Sequence, residues 1–140
     1  MFLLDTNATS DIFKGRSTAA RLALADARGE NVRVAISVLT RAEILFGLRK
    51  RLDAQRFREA FEAFTFYVEV LPWDDAAAHS YAHLRSSLLD RNRTVDTMDL
   101  LIAAHAHSLG AAIVTRDKGF RHLDGRVEVV NWATDLSPLH

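Results

Sequence analysis

Four acidic residues follow apolar runs or lie inside them, where burying a carboxylate without a partner is costly. Asp5 comes directly after the apolar run Phe2–Leu4, and Asp99 lies one turn inside an apolar helix. Glu43 and Asp117 each follow a further apolar run. Either these acids cap helices by accepting backbone N–H groups, or several of them together hold a cation.

Carboxylates gathered at one place repel each other unless a divalent cation lies among them. The hard cations Mg²⁺ and Mn²⁺ suit such all-oxygen ligands and keep several waters. A cation held in this way polarises a phosphodiester, orients it and lowers the pKa of an attacking water. Two cations about 3.5–4 Å apart would bind both the attacking and the leaving oxygen. Converging acids therefore favour metal-assisted phosphodiester hydrolysis.

The elements that would position these acids alternate between strands and helices. Apolar runs predict five strands, at 2–4, 32–37, 66–71, 111–115 and 127–130. Apolar periodicity predicts helices at 11–15, 19–28, 38–48, 54–66 and 74–89, and one from Asp96 to Gly110. This order predicts an α/β fold, a three-layer α/β/α sandwich around a mainly parallel sheet of about five strands.

Ligands of such sheets bind in the crevice outside the carboxyl ends of the strands. Asp5, Glu43 and Asp117 reach that edge because each follows a strand. Asp99 joins them if its helix begins at the same edge.

Helix capping is the alternative explanation for each acid taken singly. Thr40 and Glu43 have the spacing of a capping box, and Asp96 and Asp99 repeat it with Asp as the cap. Capping gives no reason for acids to converge on one end of one sheet, so the set favours a site. Asp96 is the member that capping explains most readily.

Other polar residues would support these acids. Thr6, Asn7 and Thr115, with Asp96, could form a second shell that orients carboxylates or metal-bound water, although each also suits a turn or a strand end. A dense basic stretch follows Glu43. It indicates either a solvated helix end or a patch that contacts phosphates. The candidate RNA contacts are Arg49, Lys50, Arg51 and Arg116.

Composition narrows the class of protein. The 140 residues predict one domain over 1–140, and 18 basic against 18 acidic residues give no overall basic field. The absence of cysteine excludes a disulfide framework, a thiolate nucleophile and Cys-ligated zinc, and makes the cytoplasm the expected compartment. No apolar run has membrane-spanning length. No dinucleotide, P-loop or serine-hydrolase motif occurs.

Four segments of this chain, in order, resemble the PIN-domain ribonucleases, and more narrowly the VapC-type toxins of bacterial toxin-antitoxin pairs. They are Leu-Leu-Asp-Thr-Asn at 3–7, Ile-Ser-Val-Leu-Thr-Arg-Ala-Glu-Ile-Leu-Phe-Gly at 36–47, Asp-Leu-Leu-Ile-Ala-Ala-His-Ala at 99–106, and Val-Thr-Arg-Asp at 114–117 with Phe120.

The resemblance implies a Mg²⁺- or Mn²⁺-dependent endoribonuclease whose acidic site is Asp5, Glu43, Asp99 and Asp117. It also implies an RNA substrate, a homodimer and a small antitoxin that covers the site, often with a basic side chain inserted among the carboxylates. Asp96 has no counterpart in the family pattern.

Two other functions fit acids at strand ends. A Mg²⁺-dependent phosphatase or phosphoacceptor domain usually has a second acid two residues after the first, where this chain has Asn7. A non-catalytic PIN-like module that binds RNA or protein would be expected to have a disrupted acid set, whereas all four positions are filled here.

Overall fold

The computed structural model describes residues 1–123 and 125–140. Its strands in these ranges are β1 (Phe2–Leu4), β2 (Val34–Ser37), β3 (Glu69–Leu71), β4 (Ala112–Val114) and β5 (Val129–Val130). The α-helices there are α1 (Thr6–Phe13), α2 (Thr18–Gly29), α3 (Val38–Arg49), α4 (Gln55–Phe64), α5 (Asp75–Asp90) and α6 (Thr97–Leu109). A 3₁₀ helix spans Lys118–Leu123.

The strands form one parallel sheet in the order β3-β2-β1-β4-β5. The central strand is β1, in which Leu4 pairs with Ile36 of β2 and Val114 of β4. Because all strands run the same way, the segments after β1, β2 and β4 leave the sheet at one edge. The prediction of a mainly parallel sheet is confirmed.

Helices cover both faces of the sheet, because alternate strand residues are buried on opposite sides. Leu4, Ile36 and Val114 pack in one core with α1, α2, α3 and α4. Leu3, Ala35 and Ile113 belong to a second core with α5 and α6. The three-layer α/β/α prediction is therefore confirmed.

Most element boundaries differ from prediction by one or two residues, and two differ by more. Residues 66–68 were predicted as strand but form a turn that ends α4, where Phe66 and Tyr67 donate backbone N–H groups to Ala63 and Phe64. The first helix begins at Thr6 rather than at residue 11, because the Asp5 side chain caps it. Within the described ranges, no helix combines the length and apolar character needed to cross a membrane.

Candidate active site

Asp5 lies where the central strand passes into α1. Its backbone N–H donates to Val114 O over 3.0 Å, which holds it against β4. Its Oδ1 accepts the Ala8 N–H at 2.8 Å, so the carboxylate caps α1. The residue is 2% exposed. Asp5 is thus a cap as well as a buried acid at the carboxyl edge of the sheet.

Glu43 lies in α3, the helix after β2, and is half-buried. The cap of α3 is Ser37, whose Oγ accepts the Leu39 N–H at 3.1 Å, so the capping box predicted from Thr40 does not form. Glu43 instead accepts the Thr6 hydroxyl at Oε1 over 2.5 Å. This bond ties Glu43 to the first turn of α1, next to Asp5.

Asp99 lies in the first turn of α6 and is half-buried. The preceding Asp96 has the N-cap position, but its side chain makes no capping hydrogen bond and is exposed. The expectation that Asp96 caps this helix with its carboxylate is therefore wrong. Its negative charge instead contributes to the field around Asp99.

Asp117 follows β4 by three residues. Its Oδ1 accepts the Gly119 N–H at 2.8 Å, and its own N–H donates to Thr115 Oγ1 at 3.0 Å. These two bonds fold the chain back on itself after the strand. Asp117 is therefore held at the same edge as Asp5, since β4 is the neighbour of β1.

The pKa values of two of these acids report their proximity. Burial, together with the charges of Asp117, Asp5, Asp96 and Glu43, raises the pKa of Asp99 to about 7. Burial likewise raises the pKa of Asp5 to about 6, helped by Asp117, while hydrogen bonds from Thr115 and Ala8 oppose the rise. The four predicted acids thus share one electrostatic environment.

No cation of the described residues offsets this charge. Within 1–123 and 125–140, none of the four acids has a Lys, Arg or His partner within 4.0 Å. In the same residues no three acidic or histidine side chains are close enough together to hold an ion as they stand. The donor set is nonetheless all oxygen and mutually repulsive, which is the chemistry that a hard divalent cation suits.

Comparison with known proteins identifies the family. Residues 2–126 match the PIN domain family. This chain is a PIN-domain protein. It is 30% identical to the tRNA(fMet)-specific endonuclease VapC of Shigella flexneri over 132 residues, which cover 94% of this chain and 98% of that one. The PIN domain therefore belongs to the VapC ribonucleases.

Solved structures agree with this assignment. A VapBC2 structure from Rickettsia felis, bound to a DNA fragment from its promoter, has the same fold with a TM-score of 0.86, at 24% identity over 94% of this chain and 98% of that chain. VapBC-5 of Mycobacterium tuberculosis, described as a member of the VapBC family of toxin-antitoxin systems, matches at 32% identity with a TM-score of 0.67, over 92% and 94% of the two chains.

Asp11 is a charged residue of this PIN domain to which the sequence analysis gave no role. It is fully buried in α1, where Arg116 Nε donates to its Oδ2 at 2.7 Å and Arg16 Nε lies 3.2 Å from its Oδ1. Its charge also raises the pKa of Asp5. An acid flanked by the apolar pair Ile12–Phe13 inside a helix was the signal available in the sequence.

Arg116 differs from the other predicted RNA contacts. Its guanidinium binds Asp11 and donates to Ser137 O at 2.9 Å, so it is already engaged. Arg49, Lys50 and Arg51 are exposed at the end of α3, where Lys50 Nζ lies 4.2 Å from the Phe46 ring centroid. Arg51 pairs with Asp53 at 3.5 Å.

The two remaining predicted second-shell residues have different surroundings. Asn7 is exposed in the first turn of α1, next to Thr6. Thr115 is buried at the end of β4, where its hydroxyl contacts both the Asp117 N–H and the Asp5 carboxylate. Thr115 therefore connects Asp5, which follows β1, with Asp117, which follows the neighbouring strand β4.

Proposed function

We propose that this PIN domain is a metal-dependent endoribonuclease and the toxin of a toxin-antitoxin pair, with residues 1–140 acting as one domain in the cytoplasm. The observation that carries the proposal is the shared field of Asp5, Glu43, Asp99 and Asp117, in which each acid lacks a cationic partner among the described residues. The similarity to a named endonuclease over nearly the whole chain supports the reaction class.

The four carboxylates would hold Mg²⁺ or Mn²⁺ through their oxygens. Such an ion, when bound, polarises the phosphodiester and lowers the pKa of the attacking water. Hydrogen bonds from Ala8, Thr6 and Gly119 orient Asp5, Glu43 and Asp117 in advance. With its pKa raised to about 7, Asp99 of the metal-free protein is partly protonated at neutral pH, and it must lose that proton before its carboxylate can act as a ligand.

The proposed substrate is single-stranded or looped RNA, whose phosphates and exposed bases a surface site can reach. Arg49, Lys50 and Arg51 would contact phosphates away from the scissile bond, because they are exposed and lie at the end of the helix that carries Glu43. Arg116 is paired with Asp11, so it would neutralise that carboxylate instead of contacting RNA directly.

The proposed protein partners are a small antitoxin and a second copy of the chain. A basic side chain of the antitoxin would lie among the four carboxylates. It would provide the positive charge that no described residue of this chain places there. The toxin-antitoxin description of the M. tuberculosis relative supports this partnership.

The test is cleavage of a pool of structured cellular RNAs by the purified protein with Mg²⁺ or Mn²⁺, beside a reaction with EDTA. The variant is Asp5→Asn with Asp99→Asn, because both amides keep the size of the side chain and the amide oxygen at position 5 can still accept the Ala8 N–H. We expect metal-dependent cleavage by the parent and none by the variant.

The matched control is Asp26→Asn with Asp90→Asn, which removes two exposed acids from α2 and α5. It should cleave like the parent. Equal cleavage by the Asp5/Asp99 variant, shown to be folded by circular dichroism, would reduce these acids to structural roles and refute the proposal.

A further inference from the structure

A surface pocket borders the acidic site. It has a volume of about 440 Å³ and shares Asp117 and Thr115 with that site. Small-molecule pockets usually measure about 300–1,000 Å³, so this one can take a single nucleotide. It opens at the carboxyl edge of the sheet, beyond β4 and β5, and therefore lies beside the bond that the acids would attack.

The C-terminal segment fixes one wall of this pocket. Leu139 pairs with Asp117, donating its N–H to Arg116 O and accepting the Lys118 N–H at its carbonyl, each over 2.9 Å. Arg116 also holds Ser137 O, so Pro138 is anchored on both sides. The wall is thus part of the fold.

The side chains that line the pocket divide into an apolar surface and a set of donors. Val129 and Pro138 provide apolar surface, and Val129 is 38% exposed although it belongs to β5. Lys118, Arg121 and Asn131 provide polar groups. Lys and Arg can only donate hydrogen bonds, which suits phosphate oxygens and the carbonyl groups of bases.

A backbone hydrogen bond fixes the orientation of the Asn131 amide. Its Oδ1 accepts the Ala133 N–H at 2.9 Å, and since that partner is a donor, the oxygen and nitrogen of the amide are not exchanged. Because Oδ1 is engaged by this bond and Nδ2 has no acceptor among the described residues, the two Nδ2 hydrogens are the groups of Asn131 that are free to bind a ligand. Asp117 is the acceptor carboxylate among the described lining residues, and it belongs to the acidic site.

We infer that this pocket binds the nucleotide next to the scissile phosphate and selects guanine or uracil over adenine or cytosine. Val129 and Pro138 carry the base, Asn131 donates to its carbonyl oxygen, and Lys118 and Arg121 bind its phosphate. Guanine and uracil present a carbonyl where adenine and cytosine present an amino group. The inference rests on the proposed function for its substrate, RNA.

The first test needs no cleavage. Nuclear magnetic resonance titration of the ¹⁵N-labelled, metal-free protein with GMP, UMP, AMP and CMP follows the side-chain amide of Asn131. We expect GMP and UMP to shift this signal and to bind about five- to tenfold more tightly than AMP and CMP, as one discriminating hydrogen bond allows.

The decisive variant is Asn131→Asp. The new carboxylate keeps an oxygen for the Ala133 N–H but replaces the donor with an acceptor, so the preference should move toward AMP and CMP. The matched control is Asn31→Asp, because Asn31 is exposed and precedes β2, at the opposite edge of the sheet. It should bind all four nucleotides like the parent.

The second test reads the bases that flank the cut when the protein cleaves a randomised RNA library. The parent should favour G or U at one adjoining position, and the Asn131→Asp variant should lose or reverse that preference. Cleavage with an unchanged preference in the variant, or equal binding of all four nucleotides, overturns the inference and leaves the proposed function standing. Selective nucleotide binding without cleavage of any RNA supports the inference while the proposed function fails.

Discussion

Asp5 and Asp11 belong to the same short segment of chain and are both inaccessible to solvent, yet they have opposite electrostatic environments. Asp11 is contacted by Arg116 and Arg16 and thus has its charge neutralised. Asp5 receives hydrogen bonds from Ala8 and Thr115 but no ion pair with a described residue, and its pKa is raised to about 6. The fold therefore neutralises the charge of Asp11 with cationic side chains but provides none among the described residues for Asp5.

This difference separates a structural carboxylate from one assigned to the proposed metal site. Both acids are buried, so burial alone does not distinguish them. The presence of a cation within the chain does, because a buried carboxylate without one either takes up a proton or needs a cation from outside the chain. At Asp5 that external group would be a metal ion or a basic side chain of a partner.

The contrast between the two acids predicts that Arg116→Met is strongly destabilising. It leaves Asp11 buried beside the more exposed Arg16, and removing one member of a buried ion pair costs about 3–5 kcal/mol. For a chain of this size we expect the thermal midpoint to fall by about 10 °C in calorimetry.

The control for this change is Arg33→Met, which breaks the exposed two-bond pair with Glu69 and should alter the midpoint little. Replacing both partners, by Asp11→Leu with Arg116→Met, should recover most of the loss. A midpoint for Arg116→Met equal to that of Arg33→Met would mean that Asp11 is not held by this pair.

The same contrast predicts the reverse behaviour for Asp5→Asn. Because no ion pair is lost and an unneutralised buried charge is removed, stability at pH 8 should be unchanged or higher. Activity should fall at least about 100-fold, since a carboxylate of the proposed metal site is lost. Thermal melting beside single-turnover cleavage measures both quantities, and a loss of stability with full activity would place Asp5 with Asp11 as a structural acid.

The layers, the order of elements along the chain and the four acids were predictable from the sequence because each depends on local pattern. Apolar runs as short as Phe2–Leu4 identify buried parallel strands, and the topological rule then places the residue after each strand at one edge. The position of Asp99 was predicted only on the condition that its helix begins at this edge, and the structure places the start of α6 near the other acids.

The role of Asp11 could not be predicted in this way. Its partner Arg116 lies 105 residues away along the chain, and no local sequence pattern around either residue predicts that the two are in contact. For the same reason the bond from Thr6 to Glu43, across 37 residues, was not predicted; the capping box at Thr40, which was the alternative explanation for Glu43, does not form. The predicted strand boundary was wrong at 66–68, where the chain forms a turn. Of these three apolar residues Val68 is buried in the core, whereas Phe66 and Tyr67 are exposed and pair with no strand of the described ranges.

The raised pKa values of Asp5 and Asp99 predict how the stability of the metal-free protein depends on pH. Between about pH 4 and pH 7 these two acids bind more protons in the folded state than in the unfolded state, so they lower the free energy of unfolding as pH rises through that window. The raised pKa of the buried Asp5 corresponds to about 3 kcal/mol, and Asp99 adds less than its shift implies because solvent screens this half-buried group.

Urea titrations at pH 4.5, 6 and 8 measure this slope. Asp99→Asn should flatten it and stabilise the protein at pH 8, whereas Asp90→Asn, which removes an exposed acid, should not. Saturating Mg²⁺ should also flatten the slope, because the ion favours the ionised carboxylates. Stability that rises between pH 4.5 and 8 in the metal-free parent would show that these acids are neutralised within the chain.

The smallest effect is expected at Thr6, whose hydroxyl donates to Glu43, one of the acids that has no ion-pair partner among the described residues. Thr6→Val removes the hydroxyl that orients Glu43 while keeping the shape of the side chain, at a cost of about 1 kcal/mol in stability. Because a group that orients a metal ligand affects metal affinity about 10- to 100-fold, we expect a higher Mg²⁺ requirement with nearly unchanged cleavage at saturating metal.

Thr65→Val is the matched control, since the Thr65 hydroxyl bonds only to Glu62 O at the end of α4 among the described residues. Its metal dependence should match that of the parent. If both variants behave alike, Glu43 needs no preorganisation and acts either through its charge alone or not at all. A selective rise in the Mg²⁺ requirement for Thr6→Val would instead show that the fold orients the acids it leaves unneutralised.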